Sequence, residues 1–178
     1  SLKSDCRRTW TTASNVIAKL DDAAPKRIVI TAHIDAKKGA PGAIDNATGV
    51  TALLLLAELL AGFAGRHGID LVVFNGEDHY SAAGEVDYIR QRQGKFDDVV
   101  LNINIDGLGL KQGPTCYSFF DLPEAMLRKA RATLLQPGAA VEGAPWPQGD
   151  HSIFIKQGCP ATAGTSSRFI YHMASQTE

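Results

Sequence analysis

The chain has 178 residues, 44% hydrophobic and 21% charged, enough for one well-filled core and too few for two ordinary domains, so residues 1–178 read as a single domain. A formal net charge of −1 excludes the concentrated positive field on which nucleic-acid and anionic-membrane binding depend. The longest apolar run, "VTALLLLAELLAGFAG", is broken by Glu58 and falls short of the ~20 residues that span a bilayer, which excludes membrane insertion through it.

In chain order, "SNVIAKL" (14–20) and "RIVITAH" (27–33) are β-branched runs separated by "DDAAPK", whose Asp and Pro suit a turn, and together they predict a hairpin. The loop "IDAKKGAPGAIDNATG" leads into a helix over 49–61, so apolar all round that it is expected to be central. "IDLVVFN" predicts a strand, "YSAAGEVDYIRQR" a helix, "VVLNINI" and "TCYSFF" two further strands, and "PEAMLRKARATLL" an amphipathic helix with Pro123 at its start. "GAAVEGAPWPQG" reads as irregular, "DHSIFIKQG" as a short helix capped by Asp150 and stopped by Gly158, and "CPATAGT" as the last strand. Strands alternating with helices, the strands mostly apolar, predict an α/β fold: a three-layer α/β/α sandwich around a mixed, mostly parallel sheet.

Cys6, Cys116 and Cys159 are odd in number and form no C-x-x-C pair, so they read as small core residues, not as a disulfide framework or a thiolate metal site. No basic, apolar and small-residue succession opens the chain, so no signal peptide is read; a mature exported form is compatible with this, and neither compartment nor oligomeric state has a signature.

The polar residues are the informative ones. His33 ends one strand, Glu77 and Asp78 follow a second, and Asp106 ends a third, so an open α/β sheet would gather them in one crevice beyond the strand ends. Asp45 precedes the first helix, and His172 lies in "IYHMASQT" after the last strand. Asp35, Asp45, Glu77, Asp78 and Asp106 together would repel, and loop lysines such as Lys37 and Lys38 are poor compensation for five acids. Divalent metal with two histidines is the better balance, and carboxylate plus imidazole without cysteine is a catalytic zinc inventory. Each residue alone has a plainer role open to it: Asp106 before Gly as a turn former, Asp45 as a helix cap, His33 as a core histidine, His172 as a surface loop residue, and Glu77 with Asp78 as partners of the next helix dipole.

The ordered set "AHID", "PGAIDNATGV", "NGEDH", "NIDG", "GDHSIF" and "YHMASQT" resembles the di-zinc exopeptidases that include bacterial aminopeptidases and glutamate carboxypeptidase II, with glutaminyl cyclases as relatives; it runs from about Asn15 to the end. The resemblance implies a zinc metallopeptidase with two Zn2+ per chain, one held by His33 and Asp106, the other by Asp78 and His172, with Asp45 bridging. It implies Glu77 as general base, a peptide or small amino-acyl substrate, and removal of N-terminal residues. Asp35 matches the family's carboxylate that hydrogen-bonds the imidazole and fixes its tautomer, His151 occupies a position near the substrate, and Tyr171 and Ile170 flank His172 where a side-chain pocket would lie. The Asp45–Asn46 peptide is expected to be cis.

Two departures stand out: Asp78 replaces the more usual Glu, and the chain ends six residues after His172, as in a trimmed or unusually compact member. A single-zinc cyclase using Asp45, Asp78 and His172 is the rival enzyme. A binding module of the same fold would be expected to lose ligands, and no ligand position is lost here. A dinucleotide-binding domain lacks its G-x-G-x-x-G.

Overall fold

The computed structural model describes residues 3, 5, 10–79, 82–111 and 113–166. Among them, strands β1 (Val16–Leu20), β2 (Arg27–His33), β3 (Gly68–Phe74), β4 (Val99–Ile105), β5 (Thr115–Phe120), β6 (Ala140–Glu142) and β7 (Ala161–Ser166) form one sheet in the order β1-β3-β2-β4-β7-β5-β6. The inner pairs β3–β2, β2–β4 and β4–β7 are parallel, while β1 and β5 join antiparallel to β3 and β7. The helices are α1 (Ala47–Leu59), α2 (Ala83–Gln91), α3 (Glu124–Leu134) and α4 (Ser152–Lys156).

Alternation along the inner strands divides the core between two faces. Val29, Val72 and Phe74 pack with Tyr88 of α2 and Ile153 and Phe154 of α4, while Ile30, Ala32, Leu71 and Ile105 pack with Leu53 of α1. Helices therefore cover both faces, giving the three layers expected. On the α2 and α4 face the aromatic rings of Phe74, Tyr88, Phe96 and Phe154 meet mostly edge to face, at centroid distances of 5.3 to 6.1 Å. No helix among the described residues is long and apolar enough to cross a membrane.

Three sequence expectations are corrected. The first two strands make no hairpin: β1 pairs with β3, Ala18 opposite Leu71, and β2 lies between β3 and β4. β1 is mostly exposed, an edge pattern, whereas β2 is buried almost throughout and loses most apolar surface to water-free contact in the middle of the sheet. The apolar first helix is not central either. One stripe of α1, Ala52, Leu53, Leu56 and Ala57, suffices to cover the sheet, and Leu54, Leu55 and Leu59 are largely exposed. Finally, "GAAVEG" contributes β6, a three-residue edge strand too short for its periodicity to show.

At the amino ends of the inner strands, Arg27 and Asp70 form a buried ion pair at 2.6 Å, and the guanidinium also donates to the carbonyls of Leu20 and Asp21, holding the chain as it turns from β1 into β2. Removing one partner leaves the other charge buried and uncompensated. Asp70→Ala is therefore expected to destabilise the fold by about 3–5 kcal/mol, read as a fall in the urea midpoint at unchanged slope.

Candidate metal centre

Because β2, β3 and β4 run parallel, their carboxyl ends open at the same edge of the sheet, and His33, the 75–78 turn and Asp106 meet there. The loop before α1 adds Asp45. What aims it is Asn46, which is the N-cap of α1 and accepts from Gly49 N at 3.0 Å; its side chain also accepts from Gly107 N at 3.2 Å and donates to Ile105 O at 2.9 Å. The start of α1 is thereby tied to the end of β4. With Asn46 capping, the Asp45 carboxylate is left to face the crevice, and the Asp45–Asn46 peptide is cis.

His33 is buried. Its Nδ1–H donates to the main-chain oxygen of Asp35 at 3.0 Å, so Nε2 is the nitrogen turned to the acids, 3.1 Å from Asp45 and 3.4 Å from Asp106. The ligand atoms of these three residues lie within 4.8 Å of one another. Three acceptors this close require a cation or a proton between them. Burial by itself pushes the imidazole pKa down, but hydrogen bonds to Asp106 and Asp45 and the charge of Asp106 overcome it, and without metal the ring is held protonated up to about 12. One nitrogen and two carboxylate oxygens that demand positive charge fit a divalent ion, and the absence of cysteine suits a catalytic zinc.

Asp35 departs from its expected role. Its carboxylate stands 3.8 Å from the imidazole and instead accepts three backbone N–H groups, from Gly76 at 2.7 Å, Glu77 at 3.2 Å and Asp78 at 3.0 Å. Three converging amides outweigh one imidazole N–H for a carboxylate. The main-chain oxygen fixes the His33 tautomer, and the carboxylate moulds the turn that carries Glu77 and Asp78.

Burial, the charges of Asp106, Asp78 and Glu85 adding to it and that of His33 opposing, raises the Glu77 carboxyl to about 7. Asp78 is buried beside Asp45, and burial and that neighbouring charge push its pKa up; its carboxylate accepts from Lys37 N at 3.1 Å and lies 3.7 Å from Lys37 Nζ. The structure thus brings His33, Asp45 and Asp106 into one cluster with Glu77 and Asp78 on the neighbouring turn. His172, Tyr171 and Ile170 lie outside the described residues.

His151 is fully buried: Asn104 Nδ2–H donates to its Nδ1 at 3.1 Å, its Nε2–H donates to Trp146 O at 2.8 Å, and Trp146 and Phe120 pack on the ring. Burial lowers its pKa and keeps it neutral, with both nitrogens engaged inside the protein. Asp150, expected to cap α4, does not; His151 holds the cap position, and Asp150 is wholly enclosed. Sequence reading passed over Asn46, although Asn three residues before Gly49 is a capping signal, and over Asn104 and Glu85, for which it had no signal at all.

A model of Peptidase family M28 matches residues 15–177. The alkaline phosphatase isozyme conversion protein of Escherichia coli (strain K12) is 31% identical over 143 residues, covering 71% of this chain and 41% of that protein. A zinc aminopeptidase from Bacillus subtilis superposes with a TM-score of 0.71 at 19% identity, over 85% of this chain and 39% of the other. A glutaminyl cyclase from Porphyromonas gingivalis does so with a TM-score of 0.68 at 22% identity, over 85% of this chain and 62% of the other. The chain therefore spans about two fifths of the curated relative and of the aminopeptidase it matches. With its motifs, its sheet and a family match over nearly its whole length in agreement, the chain belongs to Peptidase family M28.

Proposed function

We propose that the chain carries a metal-dependent peptide-bond hydrolysis site that removes N-terminal amino acids. The observation that supports this most is the convergence of His33 Nε2 with the Asp45 and Asp106 carboxylates at the sheet edge where Glu77 emerges. His33, Asp45 and Asp106 would hold one zinc ion; Asp78 and His172 would hold a second, shared through Asp45. A divalent ion there supplies the charge that lowers the pKa of water and stabilises a tetrahedral oxyanion.

The protein's own residues do the rest. Glu77, raised towards neutrality by burial, takes a proton from the attacking water and returns it to the leaving amine. Asp35 holds the base in register through the three amides of its turn. This chemistry also accords with a relative named as a zinc aminopeptidase. We further read the described residues as parts of one domain and His151 as acting from behind the site, through the turn it holds.

The test is hydrolysis of leucyl and other aminoacyl anilides after chelation and after return of zinc, with zinc counted per chain. Zinc-dependent release of the anilide is the expected result. One zinc per chain, no anilide release and cyclisation of N-terminal glutaminyl peptides would favour the acyl-transfer alternative. Asp35→Ala should lower hydrolysis about 10²-fold through loss of alignment, with zinc still bound; an unchanged rate would remove Asp35 from the proposed machinery.

A further inference from the structure

Glu85 and Asp150 are two buried acids for which the metal site and the general base leave no role. They are 3% and 1% exposed, and neither has a lysine or arginine in an ion pair with it among the described residues. Both oxygens of Asp150 and Oε2 of Glu85 are enclosed without a donor. The two side chains are within hydrogen-bonding reach of each other. Two carboxylates in such contact and out of water repel; one proton between them converts the repulsion into a strong hydrogen bond.

We propose that Glu85 and Asp150 form a carboxylic acid–carboxylate pair sharing one proton, a positioning device that locks α2 to the turn before α4 behind the candidate metal centre. It rests on the metallopeptidase reading for its consequence, though not for its existence. Burial raises both acids, Asp150 well above the ordinary carboxylate range, as a retained proton requires. Among the described residues, the charged groups that act most strongly on the pair are His33 from β2, Asp35 from the loop after it, Glu77 from the turn after β3 and Asp106 from the end of β4. None is a lysine or arginine that could replace the proton.

Each half of the pair is anchored to one arm of the site. Gly84 N donates to Asn75 O at 2.9 Å, a Cβ on Gly84 would lie 2.6 Å from that oxygen, and Asn15 bridges Gly84 O and Asn75 N. Glu85 is thus held one residue from a contact with the chain that enters the Gly76–Asp78 turn. On the other side, His151, next to Asp150, is tied by Asn104 to β4, two residues before Asp106. The shared proton closes the link between the arm of the general base and an arm of the metal ligands.

The experiment uses the full chain, with and without zinc, and needs no activity for its first readout. Infrared difference spectra at neutral pH between the parent and Glu85→Gln, and between the parent and Asp150→Asn, are expected to show loss of a buried carboxylic-acid carbonyl stretch. Both amides are nearly isosteric, so the fold should persist; absence of such a band in both differences overturns the shared proton. For positioning, Glu85→Gln, whose amide N–H can donate to Asp150, should keep kcat within about threefold, whereas Glu85→Leu should lower it at least about 10-fold with KM nearly unchanged. Equal rates for parent and Leu variant, or equal losses for Gln and Leu, overturn the positioning role. If the parent itself hydrolyses no peptide, the peptidase reading has failed, the infrared result still decides the pair, and zinc affinity of the Leu variant becomes the readout of positioning.

Discussion

Glu77→Gln is expected to slow anilide hydrolysis by about 10²- to 10⁴-fold, the usual loss on removing a general base, while zinc content and KM stay close to those of the parent. The turn around this residue is set by its backbone, since the Gly76, Glu77 and Asp78 amides all donate to Asp35, so an isosteric amide side chain should leave the turn in place. What changes is chemistry. An amide oxygen can still orient a water through a hydrogen bond, but it does not take the proton. A loss confined to kcat would identify an interaction made in the transition state. A variant as fast as the parent would remove Glu77 from the reaction.

Asp45→Ala should be more damaging still, with hydrolysis falling to background and zinc lost together. Asp45 faces His33 Nε2 at 3.1 Å and adds its charge to the surroundings of Asp78, so in the proposed arrangement it serves both metal positions. Stability gives a readout free of activity. At free zinc 100-fold above the dissociation constant, a ligand bound only by the folded state stabilises by about 2.7 kcal/mol, which for a chain of this size raises Tm by about 5–10 °C. The parent should show that rise and Asp45→Ala should not. A full zinc-induced shift in the variant would show that the metal is held elsewhere.

Asn46 separates these effects. Its side chain caps α1 and braces the end of β4, so its loss would disturb Asp45 indirectly, through the position of α1, without removing any ligand. Both residues sit in "IDNATG", and from the sequence either could be the cap. Three-dimensional contact with Ile105 and Gly107 makes Asn46 the cap and frees Asp45 for the crevice.

The same division runs through the rest of the protein. Strand and helix identities, the three-residue β6 apart, follow from periodicities of two and 3.6 written locally into runs such as "VVLNINI" and "TCYSFF", so they were legible residue by residue. That His33, Asp45 and Asp106 belong together was legible too, because a histidine and an acid at two strand ends, with a third acid on the loop that leaves the first of them, have few other common destinations in a parallel sheet. Partnership between distant segments was not. β1 paired with β3 because a mostly exposed strand belongs at an edge and a buried one in the middle, a choice made by the whole sheet. Asp35 gave its carboxylate to three amides some forty residues away, and Asp150 left the helix cap for a buried contact with Glu85. Composition and pattern by themselves determined which chemistry the chain could hold, since residue type sets donors, acceptors and charge. Only the tertiary structure decided which group faces which, because hydrogen bonds and the sharing of a proton depend on contacts of a few ångströms that no sequence separation encodes.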